Sequence, residues 1–202
     1  MITIIDYGMG NLFSVENAIK TLGAEVIVSS KAEDIKMADK IILPGVGAFP
    51  DGMKNLKDLG IDKILTEEVL NKKKPLLGIC LGMQLLASVG EEHGITTGLG
   101  FIEGAVRKFK IEDKKFRIPH IGWNDVVLSR ENILLKNVKT PIFYFDHSYH
   151  FVPKDNSVII ATCDYGEIFS AAIQKENIFG VQFHPEKSQR EGLNLLNSFL
   201  RL

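Results

Sequence analysis

The stretch Pro75-Leu76-Leu77-Gly78-Ile79-Cys80-Leu81-Gly82-Met83-Gln84-Leu85-Leu86-Ala87 decides how the rest of the chain is read. Its first five residues are a short apolar run, the pattern of a strand buried on both faces. A cysteine between two glycines follows, and then a run toward Ala87 that suits a helix. A strand turning sharply into a helix around one reactive side chain is a nucleophile elbow, here with Cys80 in the place often held by serine. The glycines permit the tight turn, and the turn exposes the central side chain and aims the next backbone N–H groups at a developing oxyanion. Free N–H groups at the start of the helix also favour a thiolate. A lone cysteine is more often a small buried hydrophobe. The two glycines and the strand-to-helix junction decide for a nucleophile.

Upstream of the elbow, short apolar runs alternate with helical periodicity. This predicts strands over 2–5, 26–29, 41–43 and 75–79, and a helix over 12–22 on which Leu12, Val15, Ala18, Ile19 and Leu22 share a face. The alternation predicts an α/β fold with a mostly parallel central sheet flanked by helices. Beyond the glycine-rich stretch 94–104 the apolar runs crowd together, over 106–109, 116–118, 126–128, 142–145, 158–161, 169–173 and 179–183. They predict additional antiparallel or mixed strands in the C-terminal half. Leu193, Leu196, Phe199 and Leu200 mark a final amphipathic helix. No linker, repeat or low-complexity segment interrupts the 202 residues, which read as one domain over 1–202.

A cysteine nucleophile needs a base, and the base needs an acceptor to orient it. Both stand in Gly180-Val181-Gln182-Phe183-His184-Pro185-Glu186. In extended chain, residues two apart point the same way, which brings His184 and Glu186 side by side with Pro185 fixing φ between them. Taken alone the pair suits an exposed strand end; together with the elbow it completes a triad. Pro44-Gly45-Val46-Gly47 follows the strand 41–43, at the edge where open α/β sheets place ligands. Its glycines let a peptide turn an N–H toward the oxyanion. The same residues equally suit a plain strand-to-helix turn.

Composition excludes several classes. Twenty-four basic against 25 acidic residues give a net charge of −1, with no bias toward nucleic acid or an anionic membrane. No apolar run reaches the ~18 residues that span a bilayer, and residues 1–6 lack the basic start of a signal peptide, so the cytoplasm is the expected location. Cys80 and Cys163 are far apart and in no metal-type spacing. Neither Gly8-Met9-Gly10 nor Gly45-Val46-Gly47 reaches the third glycine of a dinucleotide fingerprint, since Phe13 and Pro50 stand there, and no Walker sequence occurs. No cofactor is expected. His147 and His150, three apart in a strand, point to opposite faces and read as structural histidines rather than metal ligands.

Gly-Ile-Cys80-Leu-Gly-Met-Gln and His184-Pro185-Glu186 together resemble the triad of class I glutamine amidotransferases. Ile5-Asp6-Tyr7-Gly8-Met9-Gly10-Asn11, Pro44 to Phe49, Pro119-His120-Ile121-Gly122-Trp123-Asn124, His147-Ser148-Tyr149 and Gln182 to Ser188 narrow the likeness to the glutaminase subunits of imidazole glycerol phosphate synthase. The likeness runs from end to end. It implies that Cys80 forms a glutamyl thioester, His184 shuttles protons and Glu186 orients His184. It further implies an oxyanion hole of the Val46 and Leu81 N–H groups, and glutamine held by Gly45, Gln84, Ser148 and Tyr149. A partner is implied as well, a cyclase subunit of (β/α)8-barrel type docking at Asn11, Trp123, Tyr144 and Lys187 to form a heterodimer that channels ammonia. Ile121, Asp146 and His150 depart from that family's pattern. Two other readings fit the same motifs: a related glutaminase supplying ammonia for amidination of a bacterial surface sugar, and a cysteine peptidase or hydrolase of the same superfamily. The latter gives less reason for Glu186 and Gln84.

Overall fold

Strands that are apolar throughout can leave neither face in water, so they pair side by side under helices on both sides. A computed structural model describes residues 1–202. In chain order its strands are β1 (Ile2–Ile5), β2 (Val26–Ser29), β3 (Lys40–Leu43), β4 (Leu76–Ile79), β5 (Val89–Gly90), β6 (Thr96–Thr97), β7 (Gly104–Lys108), β8 (His120–Asp125), β9 (Val127–Leu128), β10 (Ile142–His147), β11 (Tyr149–Pro153), β12 (Ile159–Asp164), β13 (Ile168–Lys175) and β14 (Ile178–Val181). Its α-helices are α1 (Leu12–Thr21), α2 (Ala32–Met37), α3 (Phe49–Asp58), α4 (Ile61–Leu65), α5 (Leu81–Leu85) and α6 (Gln189–Leu200).

The main sheet runs β2-β1-β3-β4-β14-β13-β12-β9. The first five of these strands are parallel and the last three add antiparallel, as the change of pattern along the sequence implies. Successive side chains on each strand face opposite layers. Ile4, Ile42 and Leu77 pack with Val15 and Ile19 of α1 and Leu195 and Phe199 of α6. Ile5, Ile41, Leu43 and Leu76 pack with Ile35 of α2, Met53 and Leu56 of α3 and Leu65 of α4. Each such side chain contributes about 1.5–3 kcal/mol by leaving water. A four-stranded sheet, β11-β7-β5-β6, and a ribbon of β10 with β8 stand beside the main sheet.

Several expectations are corrected. No strand forms over 116–118, where Lys114, Lys115 and Arg117 surround the apolar residues and no partner is offered; the strand is β8, over 120–125. Helices α2, α3 and α4, a π-helical turn Thr66–Asn71, and strands β5 and β6 occur where none was expected. No helix is long and apolar enough to cross a membrane.

Candidate active site

The carboxyl ends of three neighbouring parallel strands meet at one cleft, the place where open α/β sheets bind ligands. β3 leads into Gly45, β4 into Cys80, and β14 into Gln182 and His184. Cys80 has φ +53° and ψ −111°, a strained state for a residue with a Cβ, costing about 1–3 kcal/mol. Its N–H donates to Val181 O at 2.8 Å, and its own carbonyl accepts from Gln84 N at 3.2 Å. Gly82 lets α5 press against β3: a Cβ there would lie 1.7 Å from the Leu43 carbonyl oxygen. The elbow is therefore held from both sides, and its sulfur faces a cleft of about 270 Å³. A larger hollow of about 850 Å³ over residues 128–138 holds neither Cys80 nor any histidine, so the chemistry belongs to the cleft.

His184 and Glu186 come together by a different route from the one expected. The chain is extended only as far as His184; Pro185–Lys187 then forms a 3-10 turn that swings the Glu186 carboxylate onto Nδ1 of His184 at 2.8 Å. Both side chains are sealed from water. The second Glu186 oxygen is buried without a partner, which leaves the imidazole N–H as the group answering its charge. His184 Nε2 makes no hydrogen bond of normal geometry and faces the sulfur. Burial pulls His184 toward neutrality, but the thiolate of Cys80 and the Glu186 carboxylate outweigh it and raise its pKa to about 10. The arrangement is a sulfur–imidazole–carboxylate row, the order that a nucleophile, its base and an orienting acceptor require.

Gln84 Nε2 donates to Tyr149 O at 2.9 Å and to Gln182 Oε1 at 3.1 Å. Gln84, Ser148 and Tyr149 line the cleft beside Cys80. The Val46 and Leu81 amides do not form a hole in this structure. Leu81 N–H donates to Gly45 O at 3.3 Å, so the Gly45 carbonyl sits where an oxyanion is expected, and in a trans peptide the Val46 N–H then points away. Tyr7 holds the preceding peptide, its hydroxyl donating to Pro44 O at 2.8 Å, and a Cβ on Gly45 would lie 2.2 Å from that hydroxyl.

Three of the four expected partner residues form one surface. Trp123 and Tyr144 pair across β8 and β10 with ring centroids 6.1 Å apart, and the Lys187 ammonium lies 5.4 Å from the Tyr144 ring. Asn11 caps α1, its side chain accepting from Ser14 N, and α1 packs on the 185–187 turn. The backbone of Tyr144 is tied directly to the triad: its carbonyl accepts from His184 N at 2.8 Å, and its N–H donates to Ser188 Oγ at 3.0 Å.

His147 and His150 do not diverge as strand geometry suggests. A bend at Ser148 separates β10 from β11, and both rings pack on Phe109, at 5.1 and 4.9 Å. His147 Nδ1 donates to Tyr149 O at 2.8 Å and its Nε2 meets His120 Nδ1 at 3.2 Å, while His150 Nε2 meets Glu167 at 2.7 Å.

The profile of the family described as glutamine amidotransferase class-I matches residues 3–202. This chain belongs to that family. Among curated amidotransferase relatives, imidazole glycerol phosphate synthase subunit HisH 2 of Methanococcus maripaludis is 49% identical over 100% of this chain and 99% of its own length. Subunit HisH 1 of Campylobacter jejuni is also 49% identical over the whole of both chains, and subunit HisH 2 of Pseudomonas aeruginosa is 46% identical over the same extent. A solved glutamine amidotransferase superposes with a TM-score of 0.79 at 20% identity, covering 100% of this chain and 98% of the other, a likeness of fold. For an amidotransferase, two residues of the site escaped the reading of the sequence. Glu92 lines the cleft and accepts from Phe49 N at 2.8 Å; nothing in Glu91-Glu92-His93 sets it apart from a solvated turn. Gln182 is fully buried between Gln84 and Cys80, and its place beside the His184 motif was its only signal.

Proposed function

We propose that this chain is the glutaminase subunit of imidazole glycerol phosphate synthase, cutting ammonia from glutamine at Cys80 and passing it to a cyclase subunit of (β/α)8-barrel type. The observation that carries the reading is the Cys80, His184 and Glu186 row, with Cys80 lining a cleft sized for one amino acid and the pair buried behind it, in a chain matched end to end by subunits of that synthase. The Cys80 thiolate attacks the carboxamide carbon of glutamine. The His184 imidazolium gives its Nε2 proton to the departing nitrogen, and ammonia leaves a glutamyl thioester. Neutral His184 then takes a proton from water as the water attacks the thioester, releasing glutamate and restoring the thiol proton to the pair. Glu186 keeps the imidazole oriented throughout. Glu92 and Asp146 supply negative charge facing the α-ammonium of the substrate, and Gln84 with the Ser148-Tyr149 segment holds its other end.

Ammonia must pass between subunits, so the exposed face bearing Ile121, Trp123, Tyr144 and Lys187 is assigned to the cyclase. Rotation of the Gly45–Val46 peptide would withdraw the Gly45 carbonyl from Leu81 N–H and turn the Val46 N–H into the cleft, completing the oxyanion hole on docking. The whole of 1–202 acts as the catalytic unit in this reading. The test is to mix the chain with the histidine-pathway barrel of the same cell and follow glutamine-dependent formation of imidazole glycerol phosphate from the ribulosyl nucleotide. Coupling supports the assignment. Failure to bind or couple, while a second barrel-like protein binds and supports amidination of a sugar, overturns the histidine assignment and leaves the chemistry at Cys80 standing.

A further inference from the structure

Gln182 is fully buried, and its side-chain Nε2 donates to Cys80 Sγ at 3.7 Å, within reach of a hydrogen bond to sulfur. The amide has no freedom to turn over. Its Oε1 accepts from Gln84 Nε2 at 3.1 Å, and the same Gln84 nitrogen donates to Tyr149 O at 2.9 Å. Tyr149 O also takes the Nδ1 proton of His147 at 2.8 Å, which leaves His147 Nε2 as an acceptor. His120 Nδ1 fills that acceptor at 3.2 Å, and Asn124, its amide fixed by Asp164 O at 3.0 Å, faces His120 Nε2 at 3.4 Å. Burial lowers both imidazoles, His120 to about 4 and His147 to about 3, so each carries one proton and the row runs one way. A reversed Gln182 amide would set an oxygen lone pair against the sulfur and two donors against each other at Gln84. Burying such a mismatch costs more than the bonds themselves contribute.

We propose that Gln182 acts directly on the nucleophile, holding an N–H donor on the Cys80 thiolate, and that Gln84, itself fixed by the Tyr149 carbonyl, is the positioning residue that sets its orientation. The proposal rests on Cys80 being the nucleophile. It assigns a second stabilising contact to the thiolate, independent of the imidazolium, and explains why a glutamine is tolerated where the packing is otherwise apolar.

The test is alkylation of the full chain by iodoacetamide across a pH series, read separately at Cys80 and Cys163 by peptide mass spectrometry. In Gln182→Met, which keeps the volume and removes the donor, the Cys80 rate-against-pH curve should move up by about one unit, and alkylation at neutral pH should fall about tenfold. Basal glutamine turnover should fall about tenfold in kcat, with a smaller change in KM. A Gln182→Met protein with unaltered circular dichroism and an unaltered Cys80 curve overturns the proposal. Should that variant fail to fold, Gln84→Met decides by alkylation alone: a shift upward supports the row, and an unmoved curve overturns it. If Cys80 of the unaltered chain reacts no faster than Cys163, the nucleophile reading falls and this one with it.

Discussion

His184 and His147 are sealed from water to nearly the same degree, 2% and 6% exposed, yet the protein holds their protons in opposite senses. Burial alone favours the uncharged ring in both places. In the box of Phe109, His120, Phe145 and Phe169 burial wins: the Tyr149 carbonyl alone favours the charged ring, the neighbouring histidines oppose it, and the pKa of His147 is pushed down to about 3. In the triad corner the thiolate and the Glu186 carboxylate overrule burial and lift His184 to about 10. The charge of a buried histidine is thus set by its partners, and only the histidine that keeps its proton beside a nucleophile is equipped to deliver one to a leaving nitrogen.

The sharpest way to break this contrast is to remove the thiolate. Cys80→Ala should lower glutamine hydrolysis by about 10⁴-fold or more, while synthase activity with free ammonia survives in the reconstituted complex. Cys163→Ala should keep glutamine turnover, because burial holds that thiol up at about 12 and it lies outside the cleft. A glutaminase assay of the two variants decides the matter, and a glutamine analogue carrying an electrophile should label Cys80 alone.

His184→Ala should approach the severity of losing Cys80, and Glu186→Gln should be roughly a hundredfold milder, because orientation is weakened while the base remains. Retention of most turnover by His184→Ala with saturating partner would require another base. A cyclase partner carrying its acceptor should raise glutamine turnover by roughly a hundredfold, the usual worth of one oxyanion donor. A chain already at full rate when isolated would contradict the closed position of Gly45.

The smallest effect is on stability, and here the two histidines should pull on opposite sides of neutrality. An unfolded histidine titrates near 6.5. His184, raised when folded, lends stability that is complete below pH 6.5 and lost as pH climbs through about 10. His120 and His147, depressed to about 4 and about 3, lend stability that is complete above pH 6.5 and lost as pH falls toward those values. Each unit in either window is worth at most about 1.4 kcal/mol per group, or roughly 3–6 °C in the midpoint of a chain this long. Melting curves should show His184→Gln flattening the alkaline limb and His147→Asn flattening the acid limb.

Much of this was legible in the sequence because the relevant signals are local. The runs 2–5, 26–29 and 75–79 are apolar without break, and the glycines around Cys80 declare their turn. Helix α3 was hidden because Phe49-Pro50-Asp51-Gly52 spells a turn; yet proline suits the first turn of a helix, and Gly52 is needed where Leu85 crowds to 3.2 Å. β8 was hidden because its pattern is inverted: Ile121 and Trp123 face out while His120 is buried, so the rule that apolar residues point inward reads it backwards. In the proposed reading that inversion suits a surface kept for a partner. The row through Gln182 was invisible for another reason. Its members lie at 80, 84, 120, 147, 149 and 182, and only the fold makes them neighbours.

Under the proposed function, the Gly45 carbonyl lodged against the Leu81 amide would make an unpaired copy of this chain an idling machine rather than a source of stray ammonia. The latch is one peptide plane whose predecessor is pinned by Tyr7. A hundredfold idling ratio corresponds to a gap of about 2.7 kcal/mol between latched and unlatched forms. Such a gap never closes completely. A cell that makes this subunit in excess over its partner therefore leaks glutamine at about one per cent of the working rate for every surplus copy, a standing pressure to keep the two subunits in step.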